Sequence, residues 1–104
     1  MGKVKNPFLK ALKDAGIDSR TIDAVIAVER SKYIDPFYHS RLDEMVSLPI
    51  GYGEKSDDPV TLARMIAFLA PERKWRVLEI GTGSGYSTAI IANMVNQIVT
   101  VEYH

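Results

Sequence analysis

Arg76-Val77-Leu78-Glu79-Ile80-Gly81-Thr82-Gly83-Ser84-Gly85 leads directly into Tyr86-Ser87-Thr88-Ala89-Ile90-Ile91-Ala92-Asn93-Met94-Val95, and Gln97-Ile98-Val99-Thr100-Val101-Glu102 follows. The stretch opens on a β-prone run, turns on glycines, continues as a helix candidate and returns to a β-prone run. Strand, glycine turn, helix and strand make a βαβ unit, which implies a parallel, doubly wound α/β sheet. A turn that reverses the chain so sharply needs backbone angles that glycine adopts without Cβ clashes. Bare glycines also let a ligand come close to the main chain.

The glycine spacing is G-x-G-x-G. A dinucleotide fingerprint reads G-x-G-x-x-G, so the third glycine here comes one position early. A phosphate-cradling P-loop needs a lysine after its last glycine, and none follows Gly85. Two acids flank the unit: Glu79 before the turn and Glu102 at the end of the second strand. A carboxylate in the latter place can accept hydrogen bonds from both ribose hydroxyls of an adenosine and disfavours a phosphate on that sugar, so NADP is the poorer fit. Glu-x-Gly-x-Gly-x-Gly with a later acid suits S-adenosylmethionine better than NAD, because that cofactor has no pyrophosphate and its cationic groups tolerate nearby carboxylates. A lone glycine cluster is often only a tight turn; the flanking strand, helix and acids together carry the ligand-binding alternative.

Outward from this unit, the preceding chain reads as helical. Phe8, Leu9 and Leu12 form an apolar stripe closed near Gly16, and Asp18 or Ser19 can cap a second helix carrying Ile22, Val25, Ile26 and Glu29 at helical spacing. Asp35-Pro36 is a cap followed by proline and predicts a short turn through Phe37, Tyr38 and His39. Residues 40–58 read as a loop with a short extended piece at Met45–Leu48. Asp58-Pro59 repeats the cap signal, and Leu62, Met65, Ile66 and Leu69 predict an amphipathic helix with one buried face, ended by Pro71. Trp75, Tyr86 and Phe68 are expected in the core or at the rim of a cofactor. His39 and His104 stand too far apart to argue for a metal site, and none is expected.

The 104 residues carry 13 Lys+Arg against 13 Asp+Glu, and 46% are hydrophobic. That suffices for one core and not for two ordinary domains. Zero formal charge argues against a protein built to hold nucleic acid or an anionic membrane. The absence of cysteine excludes a disulfide framework and thiolate chemistry. No apolar run approaches a membrane span, and the N-terminal residues lack the apolar core of a secretory signal, so the expected location is cytoplasmic.

Val77-Leu-Glu-Ile-Gly-Thr-Gly-Ser-Gly-Tyr86 resembles the nucleotide-binding motif of protein-L-isoaspartate O-methyltransferases. Leu48-Pro-Ile-Gly51-Tyr-Gly53 resembles the loop that precedes that family's catalytic helix. The helical opening, with Leu12, Gly16, Ile17, Val25 and Arg30-Ser-Lys-Tyr-Ile-Asp35, resembles its N-terminal segment. The resemblance spans nearly the whole chain. It implies a Rossmann-like methyltransferase fold, S-adenosylmethionine as cofactor and a protein or peptide as substrate, with methylation of an isoaspartyl carboxyl as the first step of protein repair. By position, Glu79, Gly81, Thr82, Gly83, Ser84, Gly85 and Glu102 would bind the cofactor.

The chain departs from the family in the loop after Gly53. The family has Gln-Thr-Ile-Ser there, then one residue and proline. Here Lys55 stands at the threonine position and Asp57 at the serine position. Asp57 and Ser56 are therefore the candidate catalytic residues. A carboxylate at 57 would repel a carboxylate substrate, and Ser56 could supply the hydroxyl only if the loop shifted by one residue.

The expected organisation is a helical segment with an active-site-like loop over residues 1–58, then the start of the cofactor-binding domain over 59–104. A two-stranded parallel sheet is not expected to be stable alone. The chain is then an N-terminal portion of a methyltransferase, a protomer whose sheet is completed by a second copy, or a shortened relative that binds without catalysing. An NAD-dependent oxidoreductase portion is the remaining alternative, opposed by the glycine spacing.

Overall fold

Each helix begins where a side chain can satisfy the free N–H groups of its first turn. Asn6 accepts from the N–H of Phe8 and Leu9 and opens α1, Pro7–Asp14. Asp18, rather than Ser19, caps α2, Ser19–Ile26, by accepting from Thr21. Gly16 closes α1 at φ +77, an angle that glycine takes readily. The structure, a computed structural model, describes residues 6–102. Residues 1–5 lie outside the described residues, as does His104.

Two 3-10 turns follow, Arg30–Tyr33 and Pro36–Glu44. Asp35 caps the second as its sequence suggests, but that turn runs well past His39. Glu29 lies beyond the end of α2, and Ile26 is half-exposed. The extended piece expected at Met45–Leu48 is not there. Met45 takes φ +58 to leave the turn, and extended structure starts only at β1, Pro49–Gly51, which pairs antiparallel with β2, Glu54–Lys55.

Asp58 caps α3, Pro59–Leu69, and Ala70 ends it in the left-handed region just before Pro71. The apolar stripe is not the buried face expected. Pro59, Ala63 and Ile66 are buried, whereas Met65 and Leu69 are about half exposed and Phe68 is 93% exposed. The physical reason is packing direction: α1 and α2 both lie against α3, and what they cover is the Ala63–Ile66 side. Phe68 is thus neither core nor rim.

β3, Arg76–Ile80, and β4, Gln97–Val101, pair in parallel from Arg76↔Gln97 to Ile80↔Val101. Between them α4 covers only Tyr86–Ala92; Met94 and Val95 are buried in the turn that follows rather than in the helix. Strand alternation points Val77, Glu79, Ile98 and Thr100 towards the helices and leaves Leu78, Ile80, Val99 and Val101 exposed. The core lies on the helix side. It joins Leu12 and Val25 to Ala63 and Ile66 of α3 and to Ile90 and Met94. Full burial of such a side chain contributes about 1.5–3 kcal/mol. This core holds the N-terminal helices against the βαβ unit. No helix among the described residues is long and apolar enough to cross a membrane.

Candidate active site

In a parallel sheet the chain leaves every strand at the same end, so the loops beyond β3 and β4 meet there. The glycine turn occupies that position. Gly81 and Thr82 donate their N–H groups to the Val101 carbonyl at 2.8 and 3.2 Å, which ties the turn to the end of β4. Gly81, Gly83 and Gly85 take φ of +87, +61 and +92. A Cβ at Gly81 would meet nothing within 4 Å, one at Gly83 would touch Ile50, and one at Gly85 would touch the Tyr33 ring. The turn therefore presents bare backbone to open space at Gly81 and lets neighbouring side chains approach at Gly83 and Gly85.

That open space is part of a cavity of about 480 Å³. Gly81, Thr82, Gly83 and Ser84 line one wall with Glu102. Glu102 is exposed and accepts from the Gly83 N–H at 3.3 Å, so its carboxylate is held beside the turn. The opposite wall is the hairpin segment Glu54–Asp57, with Ile50 and Leu62. Of the residues singled out by sequence, the cavity brings together Ser56, Asp57, Gly81, Thr82, Gly83, Ser84 and Glu102. Gly85 and Glu79 are not among its lining residues.

Glu79 points the other way. Its carboxylate accepts from Ser87 Oγ at 2.7 Å, from Thr88 Oγ1 and from Thr100 Oγ1 at 2.8 Å. Thr100 gives its proton to Glu79, so the 2.6 Å contact between Thr82 and Thr100 has Thr82 as donor. A one-way chain of hydroxyls thus runs from the glycine turn through β4 to β3, while Ser87 and Thr88 fasten the start of α4. Glu79 holds the geometry of the turn from behind. Strand parity carries this signal: Glu79 shares the helix-facing side of β3 with Val77.

Sequence reasoning named Arg30 only as the start of the Arg30–Asp35 phrase and not as a site residue. It is 9% exposed and lies at the start of the first 3-10 turn. Its Nη2 donates to the Val46 carbonyl at 2.9 Å and to Ser56 Oγ at 3.3 Å. Burial lowers its pKa, opposed by the nearby Tyr86 and Asp58 groups. Arg30 makes no ion pair among the described residues, and its Nη1 is buried without a partner. Tyr86 shares this condition: its hydroxyl is buried without a partner, and burial pushes the phenol up to about 12. Tyr86 lines the cavity, as does Ser56, through which the 3-10 turn is bonded to the loop after the hairpin. The signal in the sequence is faint, since a single arginine says nothing of its depth.

The sequence model of the protein-L-isoaspartate(D-aspartate) O-methyltransferases matches residues 3–104. The curated protein-L-isoaspartate O-methyltransferase of Klebsiella pneumoniae subsp. pneumoniae is 42% identical over 96 residues, which is 91% of this chain and 46% of that protein. The chain thus spans about half the length of this relative. A solved protein-L-isoaspartate O-methyltransferase superposes with a TM-score of 0.77 at 26% identity, covering 92% of this chain and 33% of its own. A Plasmodium falciparum structure, described as a protein-L-isoaspartate O-methyltransferase in complex with S-adenosyl-L-homocysteine, gives a TM-score of 0.80 at 23% identity, covering 98% of this chain and 50% of its own. The fold is accordingly an incomplete Rossmann-like methyltransferase fold, as the βαβ unit implies. From its helical opening to its glycine turn, the chain belongs to the protein-L-isoaspartate O-methyltransferase family.

Proposed function

We propose that the chain is the cofactor-binding portion of an S-adenosylmethionine-dependent methyltransferase that acts on carboxyl groups of proteins or peptides, isoaspartyl residues foremost. One observation carries this: a single cavity has the glycine turn and Glu102 on one side and the Glu54–Asp57 segment on the other. Cofactor and acceptor would meet there, and holding two reactants in register is most of what methyl transfer asks of a protein. The residues present fit the cofactor. Gly81 leaves open a place that a side chain would fill, and Glu102 sets a carboxylate where ribose hydroxyls can donate to it. When bound, such a cofactor supplies an electrophilic methyl group on a positively charged sulfur. Thr82, Ser84 and the glycine backbone would position it, and Glu79 and Gly85 would act by shaping the turn.

Residues 59–104 are the start of the cofactor-binding domain in this proposal, and residues 1–58 the helical segment with the acceptor loop. Asp57 and Ser56 are the candidate groups on the acceptor side. A role in protein repair and a cytoplasmic location go with the activity. A second copy of the chain is a candidate partner for the exposed Leu78, Ile80, Val99 and Val101 face.

Asp57 and Lys55 on the acceptor wall favour a second reading, a methyltransferase-like module that binds cofactor or protein without transferring methyl groups. Calorimetric titration with S-adenosylhomocysteine and with NAD tests cofactor binding. The expected result is heat with the first and none with the second; no heat with S-adenosylhomocysteine at near-millimolar ligand sinks both readings of cofactor use. Methyl transfer to an isoaspartyl peptide then tests the second reading. Little transfer is expected from this chain, and robust turnover would exclude the non-catalytic module.

A further inference from the structure

Ser56 is held by more contacts than a loop serine needs. Its N–H donates to the Leu48 carbonyl at 2.8 Å. Its Oγ accepts from the Leu48 N–H at 3.1 Å and from Arg30 Nη2 at 3.3 Å. A hydroxyl has two acceptor lone pairs and one proton to give. Both lone pairs are therefore taken, and no acceptor among the described residues takes the proton. Ser56 lines the cavity. Its O–H is left to donate towards whatever enters there.

The charge behind it is unusual. A buried guanidinium costs free energy unless a carboxylate compensates it; Arg30 makes no contact ion pair among the described residues, and only the more distant charge of Asp58 offsets it in part. Of the two groups its Nη2 bonds among the described residues, the Val46 carbonyl and the Ser56 hydroxyl, Ser56 is the one whose residue lines the cavity. The cavity wall itself has the opposite balance, with Glu54, Asp57 and Glu102 against Lys55. An anionic acceptor approaching that wall alone would be repelled.

We infer that Arg30 is a positioning residue for the acceptor: it fixes Ser56 so that the serine O–H points into the cavity as a polarised donor, and its buried charge offsets the acidic wall, fitting the site to an acceptor that carries a carboxylate. The inference rests on the acceptor side of the cavity proposed above and adds to it the group that lets a carboxylate in despite Asp57. A donor bonded on its oxygen by a cation is stronger than a neutral hydroxyl. Arg30 touches neither reactant and acts through Ser56.

The test uses the full chain and two peptides of one sequence, one with an isoaspartyl residue bearing its free carboxylate and one with that group as the carboxamide. Binding is read by fluorescence anisotropy at fixed salt. The chain is expected to bind the carboxylate peptide about tenfold more tightly, the free-energy equivalent of about 1.4 kcal/mol. Arg30→Gln, checked for folding by its thermal transition, is expected to bring the ratio close to one, and Arg30→Lys to restore part of it. If Arg30→Gln does not fold, Ser56→Ala, which leaves the guanidinium in place, is expected to remove the preference by itself. Equal binding of the two peptides by the unaltered chain overturns the inference, as does binding of neither. An unchanged ratio in a folded Arg30→Gln or Ser56→Ala chain does so too. None of these results bears on S-adenosylhomocysteine binding, whose failure would instead overturn the cofactor proposal.

Discussion

Glu79→Ala is the perturbation that best distinguishes a structural acid from a ligand acid. In the folded chain this carboxylate accepts from the hydroxyls of Ser87, Thr88 and Thr100, joining β3 to both α4 and β4. A hydrogen bond to a charged group is worth about 1.5–3 kcal/mol net, and each donor left without a partner adds a desolvation cost. Glu79 is half-buried, and the hydroxyls can turn towards water or towards one another, so the losses do not sum. The expected destabilisation is about 3–4 kcal/mol, large against the roughly 5–15 kcal/mol that holds a small domain together. At about 4–8 °C per kcal/mol for a domain of this size, the Tm should fall by on the order of 15 °C or more. Glu79→Gln keeps one acceptor oxygen but brings an amide N–H₂ against hydroxyl donors, and should lose about half as much. Urea unfolding followed by circular dichroism measures both. The control is Glu102→Ala, which should weaken S-adenosylhomocysteine binding while leaving the transition within about 0.5 kcal/mol, as is usual for exposed positions. If Glu79→Ala unfolds at the same urea concentration as the unaltered chain, the latch reasoning is wrong.

Other expectations follow from the same structure. Gly81→Ala puts a methyl group where φ is +87 and the space is open, so it should cost about 1 kcal/mol of stability from the backbone and weaken S-adenosylhomocysteine binding measured by calorimetry. Asp58 is held below its ordinary value of 3.8 chiefly by the Thr61 hydroxyl, with help from backbone N–H groups at the start of α3. Its folded pKa lies below the unfolded one, so its contribution is complete above the unfolded value and is lost as the pH falls through the folded one. Melting curves across the acid range should therefore show less loss on acidification for Asp58→Asn than for the unaltered chain; since asparagine caps as well as aspartate, the deficit at neutral pH should be only the lost charge at the helix N-terminus, about 0.3–1 kcal/mol. Tyr86→Phe removes a buried hydroxyl that has no partner, and should be neutral or stabilising by up to about 1 kcal/mol in thermal unfolding. A loss above about 1 kcal/mol would show that the hydroxyl is bonded. In the unaltered chain, absorbance titration should show this phenol ionising only near 12.

What could be read from the sequence was what is decided locally. Asp58-Pro59 and Asp35-Pro36 start their helices because a capping carboxylate and the N–H that donates to it are a few residues apart. The Gly81–Gly85 turn and its strands are legible because the backbone itself demands glycine at positive φ. The side of α3 that is buried was not legible: an apolar stripe gives a direction only once its neighbours are known, and here α1 and α2 cover Ala63 and Ile66 rather than Met65 and Leu69. The short hairpin escaped for a related reason, since the chain leading into it is tied to Ser56 at Leu48 and to Arg30, 16 residues back, at Val46. Within the site, the glycine wall with Glu102 was marked by residue type and spacing, and the loop with Ser56 and Asp57 by its resemblance to the family's loop. The depth of Arg30 was not, because depth is a property of the packed molecule, and the inward face of Glu79 was signalled only by its strand parity with Val77.

The parallel register of β3 and β4 has a kinetic consequence. Every backbone bond in this ladder joins residues separated by the glycine turn, α4 and the loop beyond it, from Arg76↔Gln97 onward. Loop-closure entropy must be met in full before the first pair forms, whereas the backbone bonds within α1, α2 and α3 each close over a single turn. The rate-limiting step therefore has to gather both strands around α4 at once. Side chains that bind those three elements together, Val77, Ile98 and the Glu79 cluster, should slow refolding when truncated, whereas truncations in α1 should mainly speed unfolding.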